Sequence, residues 1–107
     1  MVIFKHAHQS TLHDSMTNAL KFIEHIFEEY GETCIVNSGR RTFKENKDAG
    51  GHQNSKHLHG KAIDVSTSIL KDIDEHRIYA QIKTNLQTQG YDVVQYATHI
   101  HIEYDPK

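Results

Sequence analysis

The sequence has a single cysteine, little excess charge of either sign and no long apolar run, and each of these features narrows the class of protein. Cys34 is the one cysteine, so no internal disulfide can form, and its place in the stretch TCIVNS predicts a small core residue rather than a reactive thiol. The formal net charge is −2, and no basic stripe is present. The sequence therefore predicts neither nucleic acid nor a membrane surface as a partner.

The N-terminal segment MVIFKHAHQS has no long apolar stretch and no small-residue cleavage site of the kind that signal peptides carry. No segment approaches the length of a membrane span. We therefore predict cytoplasmic synthesis without a signal peptide. The 107 residues have the size of one domain, 1–107, which we expect to be monomeric.

The spacing of apolar residues predicts two main helices and a small sheet. Apolar side chains recur at steps of three and four residues over residues 15–30 and 74–89, which predicts two helices. The predicted strands are residues 34–37, 61–66, 91–96 and 98–104. The polar residues 38–55 predict a long loop, and loops of that length are usually functional. This order is typical of an α+β domain with a small antiparallel sheet.

Capping residues support the two helices. Asp14 or Ser15 is expected to cap the start of the first helix, and Gly31 suits its end. Gly90 is expected at the C′ position of the second helix.

Histidine is in clear excess, with ten residues in the chain. Histidine is the commonest metal ligand, so the excess favours a metal site without locating it. In THIHIEY, the alternation of a strand puts His99, His101 and Glu103 on one face. The same alternation in KAIDVS puts Ala62 and Asp64 on one face.

A metal site follows if the strand of Asp64 lies beside the strand of His101. His57, on the loop before the first of these strands, can then reach the same point. Two imidazoles, one carboxylate and a free position suit catalytic Zn²⁺. His99 and Glu103 would act as outer-shell or proton-transfer groups. Spacing alone also fits a metal-free fold with these histidines on a solvated strand face, so both interpretations stay open at this point.

The segment SKHLHGKAID fits the pattern Ser-x-His-x-x-Gly-x-Ala-x-Asp and resembles the zinc D-Ala-D-Ala metallopeptidases, which cut bacterial cell-wall peptides. Upstream, SGRRTFKENKDAGGHQNSKH is similar to the phage and prophage branch of that family, and HIHIEY is similar to its last zinc-ligand strand. The hedgehog signalling domain, which shares the fold, is also similar. The resemblance covers about residues 37–104 and implies a hedgehog or D-Ala-D-Ala-peptidase-like fold.

The resemblance also implies residue roles and a substrate. His57, Asp64 and His101 match the zinc ligands, and Arg41 matches the arginine that holds the substrate carboxylate and the developing oxyanion. Gly60 would permit a tight turn before the strand. The implied substrate is a peptidoglycan peptide containing D-amino acids, and release to the cell wall during phage lysis is one route to it.

The chain departs from the family at the catalytic carboxylate. The carboxypeptidases often carry it three residues before the last zinc histidine, where this chain has Thr98, and the hedgehog domain has a glutamate where this chain has Gln95. Asp92, Glu103 or His99 could take its place. His99 is the best candidate, because lysostaphin-type peptidases also carry a His-x-His strand and use its first histidine near the zinc. The alternative function is a zinc-binding module of the same fold that is catalytically weak or inactive.

Overall fold

The computed structural model describes residues 2–5, 12–38 and 60–106. In chain order, its helices and strands are β1 Val2–Phe4, α1 Asp14–Glu29, β2 Cys34–Ser38, β3 Ala62–Ser66, α2 Asp72–Gln87, β4 Tyr91–Gln95 and β5 His99–Tyr104. The predicted α+β class with two main helices is confirmed.

The five strands form one sheet in the order β1-β2-β3-β5-β4. The pairs β2/β3, β3/β5 and β4/β5 are antiparallel, as predicted for a small antiparallel sheet. β1 pairs with β2 in parallel and makes the sheet mixed. β1 was not predicted, because a strand of three residues is too short to show an alternating pattern.

One face of the sheet carries the hydrophobic core, and both helices contribute to it. The predicted inner face of α2 is buried, with Ile78 and Ile82 fully inaccessible to solvent. The largest fully buried apolar side chains are Phe27, Met16, Ile23, Ile63, Ile78, Ile82, Ile100 and Ile102. Cys34 lies in the same core, and burial, with a smaller contribution from Glu24, raises the pKa of its thiol to about 12. The prediction of a core cysteine is confirmed.

The start of α1 differs from the prediction. His13 is the N-cap, in place of the predicted Asp14 or Ser15, and its Nδ1 accepts a hydrogen bond from the backbone N–H of Ser15 at 3.2 Å. The imidazole thus takes the role that a short polar side chain usually fills. Its ring also stacks on Tyr104, with 6.3 Å between the ring centroids. The end of α1 follows the prediction, since Gly31 adopts a left-handed φ of 68°.

The second helix begins and ends two residues earlier than predicted. Its first turn contains three carboxylates, which the positive end of the helix dipole stabilises. Thr88 is the C-cap, so Gly90, with a φ of 93°, lies two residues beyond the cap rather than at C′. Within the described ranges, neither helix is long and apolar enough to cross a membrane.

Candidate active site

The pairing of β3 with β5 positions the candidate site. Asp64 lies opposite His101 in the antiparallel register, and Ser66 lies opposite His99. The intervening isoleucines, Ile100 and Ile102, are fully buried in the core on the other face. The strand of Asp64 therefore lies beside that of His101, as the predicted metal site requires.

Asp64 and His101 are in direct contact. Oδ1 of Asp64 lies 2.7 Å from Nδ1 of His101, and Nε2 of the same ring lies 2.9 Å from Oε1 of Glu103. Burial lowers the pKa of His101, but hydrogen bonds to Asp64 and Glu103 outweigh burial, so this pKa lies above its usual value. When the ring is protonated, both of its nitrogens can donate to these carboxylates.

This pair also fits a zinc ion. Asp64 is 9% exposed, and a carboxylate so far from water needs a compensating cation or donors. Imidazole nitrogen and carboxylate oxygen are both usual zinc ligands, and in a tetrahedral site such atoms lie about 3.3 Å apart. The two facing atoms are thus close enough to share one ion in place of the proton between them.

His99 lies beside the pair, with its ring held on two sides. Its Nδ1 is 3.1 Å from Oγ1 of Thr98, and its ring stacks on Tyr96 with 4.9 Å between centroids and 18° between planes. Its Nε2 is 3.9 Å from Oδ1 of Asp64, too far for a direct hydrogen bond. The imidazole therefore turns Nε2 towards the Asp64–His101 pair while Thr98 contacts the other nitrogen.

The strand register explains why Gln95 cannot replace the missing carboxylate. Gln95 lies opposite Ile100, so both project from the core side of the sheet. Val94 lies opposite His101 and is 41% exposed on the site face. The position beside His101 on β4 thus presents an apolar side chain, which cannot transfer a proton.

Three carboxylates lie further along the same face. One oxygen from each of Asp92, Glu103 and Asp105 falls within 4.8 Å of the other two. An all-oxygen set suits a hard cation better than zinc. A polar cavity of about 340 Å³ adjoins Asp92 and Asp105 and is also lined by Tyr91. The cavity adjoins two of these carboxylates, but the donor chemistry favours Asp64 and His101 as the zinc site.

Two of the predicted site residues, His57 and Arg41, lie outside the described residues. Their roles as a zinc ligand and as a substrate-binding arginine stay predictions. Gly60 is described, and its φ of 68° fits the tight turn predicted before β3. The carbonyl of Gly60 also accepts a hydrogen bond from the backbone N–H of His13 at 2.9 Å.

Tyr96 was not among the predicted site residues, but its ring stacks on that of His99. The backbone N–H of Tyr96 donates to the carbonyl of His99 at 2.8 Å, which closes a tight turn at Ala97 and Thr98. Residues that face each other across such a turn share a face of the sheet. The sequence predicted the two strands that this turn joins. The pairing of Tyr96 with His99 depends on the length of the turn, which only the structure gives.

Comparison with known proteins gives one family. The family model described as Peptidase M15 matches residues 2–103 and so spans the described part of the candidate site. The chain matches no curated protein and no solved structure.

Proposed function

Because the chain belongs to the peptidase M15 family, a family of metallopeptidases, we propose that it is a zinc-dependent hydrolase of cell-wall peptides that contain D-amino acids. The observation that carries this proposal is the direct contact between Asp64 and His101 on the face of the sheet opposite the core. The bond cut would be that of a D-Ala-D-Ala carboxypeptidase or of an endolysin-type endopeptidase.

In this proposal, His57, Asp64 and His101 hold the zinc ion. When bound, zinc polarises the carbonyl of the scissile bond and activates a water molecule for attack. Three protein ligands with an open position are typical of catalytic rather than structural zinc. A structural site would need a fourth protein ligand, usually a cysteine, and Cys34 is buried in the core on the opposite side of the sheet.

His99 serves as the general base and acid. Its Nε2 faces the site, and the contact of Nδ1 with Thr98 and the stack on Tyr96 hold the ring in this orientation. Nε2 takes a proton from the attacking water and returns it to the leaving amine. Arg41 binds the carboxylate of the substrate or stabilises the oxyanion, a task for which a planar guanidinium is suited.

The proposal is tested by incubating peptidoglycan fragments that carry pentapeptide stems with the zinc-loaded protein and identifying the products by mass spectrometry. We expect zinc-dependent products, with loss of a terminal D-alanine indicating a carboxypeptidase and cleavage within the stem indicating an endopeptidase. His57→Ala should form none of them. His25→Ala is the matched control, because His25 lies exposed on α1 beside Glu29 and its loss should change nothing. Equal product formation by the wild type and His57→Ala would refute the proposal.

A second function is favoured by one specific observation. The site face beside His101 carries Val94 where a catalytic carboxylate could stand, and Gln95 projects from the other side of the sheet. A zinc-binding module without catalysis would share this arrangement. Stoichiometric zinc binding with no cleavage of any peptidoglycan fragment would favour this module over the peptidase.

A further inference from the structure

We propose that Glu103 is a positioning residue that orients His101, so that Nδ1 of the imidazole is the nitrogen that binds the metal. This inference rests on the metal site in the proposed function, but it does not require that the protein cleave a peptide. It decides between the two roles that the sequence left open for Glu103, an outer-shell partner of the metal site and a proton-transfer group.

The choice of nitrogen follows from the contact with Asp64. Nδ1 of His101 lies 2.7 Å from Oδ1 of Asp64, whereas Nε2 lies on the opposite side of the ring. A single ion held by both residues must therefore lie on the Nδ1 side. A neutral imidazole that offers the lone pair of Nδ1 carries its proton on Nε2.

Glu103 is placed to accept that proton. Its Oε1 lies 2.9 Å from Nε2 of His101, and the two residues project from the same face of β5. Its cross-strand neighbours are Ala62 on β3 and Asp92 on β4. Neither an alanine side chain nor an ionised aspartate can donate a hydrogen bond. The carboxylate of Glu103 therefore has no competing donor from these two neighbours.

The same geometry argues against Glu103 as the proton acceptor for the attacking water. The imidazole of His101 stands between Glu103 and Asp64, since the two carboxylates contact opposite nitrogens of one ring. An acceptor for the reacting water must be on the metal side of that ring. Glu103 thus acts through His101, as carboxylates do when they fix the tautomer and orientation of a metal-binding histidine.

Zinc affinity measured by competition with a chromophoric chelator tests this role. Glu103→Ala should weaken zinc binding about 10- to 100-fold, the usual cost of losing such an outer-shell partner. Glu103→Gln should recover part of this loss, because its amide oxygen can still accept from Nε2–H. Asp92→Ala is the matched control, since it removes a neighbouring charge without adding a hydrogen-bond donor beside Glu103, and it should bind zinc like the wild type. Equal losses in Asp92→Ala and Glu103→Ala, or no loss in Glu103→Ala, would overturn the proposal.

The tautomer itself can be read by long-range ¹H–¹⁵N NMR of the zinc-loaded protein. We expect His101 to carry its proton on Nε2 and to bind zinc through Nδ1, and a metal on Nε2 would overturn the assignment. The two proposals fail in different ways. Weaker zinc binding in Glu103→Ala without peptide cleavage by the wild type would refute the peptidase and keep the positioning role. Peptide cleavage by the wild type together with an undiminished zinc affinity in Glu103→Ala would keep the peptidase and refute the positioning role.

Discussion

The site face of β5 has two ends with different chemistry. At one end, His101 contacts the buried carboxylate of Asp64, and His99 lies beside them. At the other end, Glu103 lies with Asp92 and Asp105 in a group of three carboxylates. Both ends bring ionisable side chains from neighbouring segments together beside β5, but only the first mixes nitrogen and oxygen donors as zinc sites do. The nature of the donor atoms therefore distinguishes the zinc site better than the number of charges.

Burial separates the two ends further. Asp64 is buried at 9% exposure, whereas each member of the carboxylate group is half-buried. A charge that has lost its water requires a specific partner, while a partly exposed charge can be stabilised by solvent. The histidine end is consequently the one where removal of a single side chain should have the largest effect.

The largest difference between the two ends is expected for His101→Ala. Loss of a direct ligand should weaken zinc binding by more than the roughly 100-fold cost of an outer-shell partner, and peptide cleavage should disappear with it. Asp92→Ala, at the carboxylate end, should leave both unchanged. Zinc titration and product analysis of both variants make this comparison, and a greater loss in Asp92→Ala would reverse our assignment of the two ends.

A separation of binding from turnover is expected for His99→Ala. If His99 transfers protons and does not hold the metal, this variant should keep its zinc affinity while kcat falls on the order of 10²- to 10⁴-fold. Steady-state kinetics with a stem-peptide substrate and zinc titration of the same preparation measure the two effects. A parallel loss of zinc would instead make His99 a ligand.

The pH dependence of stability should distinguish the metal-free from the zinc-loaded protein. The pKa of His101 is raised in the folded state, so the proton is bound more tightly there than in the unfolded chain. The resulting stabilisation is complete below the unfolded pKa of about 6.5 and is lost as pH rises through the folded value. Zinc must displace this proton, so its contribution to stability should grow over the same pH range.

Urea unfolding of the metal-free protein at several pH values measures this effect. His101→Gln is the control, because subtracting its free energy of unfolding from that of the wild type removes the contributions of the other histidines. We expect this difference in the free energy of unfolding to shrink as pH rises. A difference that grew with pH would mean that the imidazole is neutral between its two carboxylates.

The smallest effect is expected for Thr98→Val, which removes the hydroxyl that contacts Nδ1 of His99 while keeping the size of the side chain. Hydrogen bonds of this kind contribute about 0.5–1.5 kcal/mol, and Tyr96 still stacks on the ring. We expect kcat to fall by less than about 15-fold at unchanged zinc affinity, as that energy allows. A loss as large as that of His99→Ala would mean that Thr98 itself takes part in the reaction.

The alternation in HIHIEY was sufficient to predict which side chains share a face, because a strand has a period of two whatever its partners are. It could not predict the register, and register decides which side chain stands beside His101. Val94 occupies that position and Gln95 projects from the other side of the sheet. The register thus places the Gln95 side chain away from the Asp64–His101 pair.

The features that the sequence did not predict depend on distant contacts. β1 forms only through parallel pairing with β2, which lies some thirty residues away along the chain. His13 caps α1 with its ring packed on Tyr104, from the last strand. Neither contact has a local pattern, whereas the helices and the other strands do. The roles of His57 and Arg41 are still predictions from the family motif.

Anomalous diffraction at the zinc absorption edge, from crystals of the zinc-loaded protein, tests the central assignment most directly. We predict one strong peak between Oδ1 of Asp64 and Nδ1 of His101, with His57 completing the protein ligands. A peak among Asp92, Glu103 and Asp105, with none beside Asp64, would contradict the account.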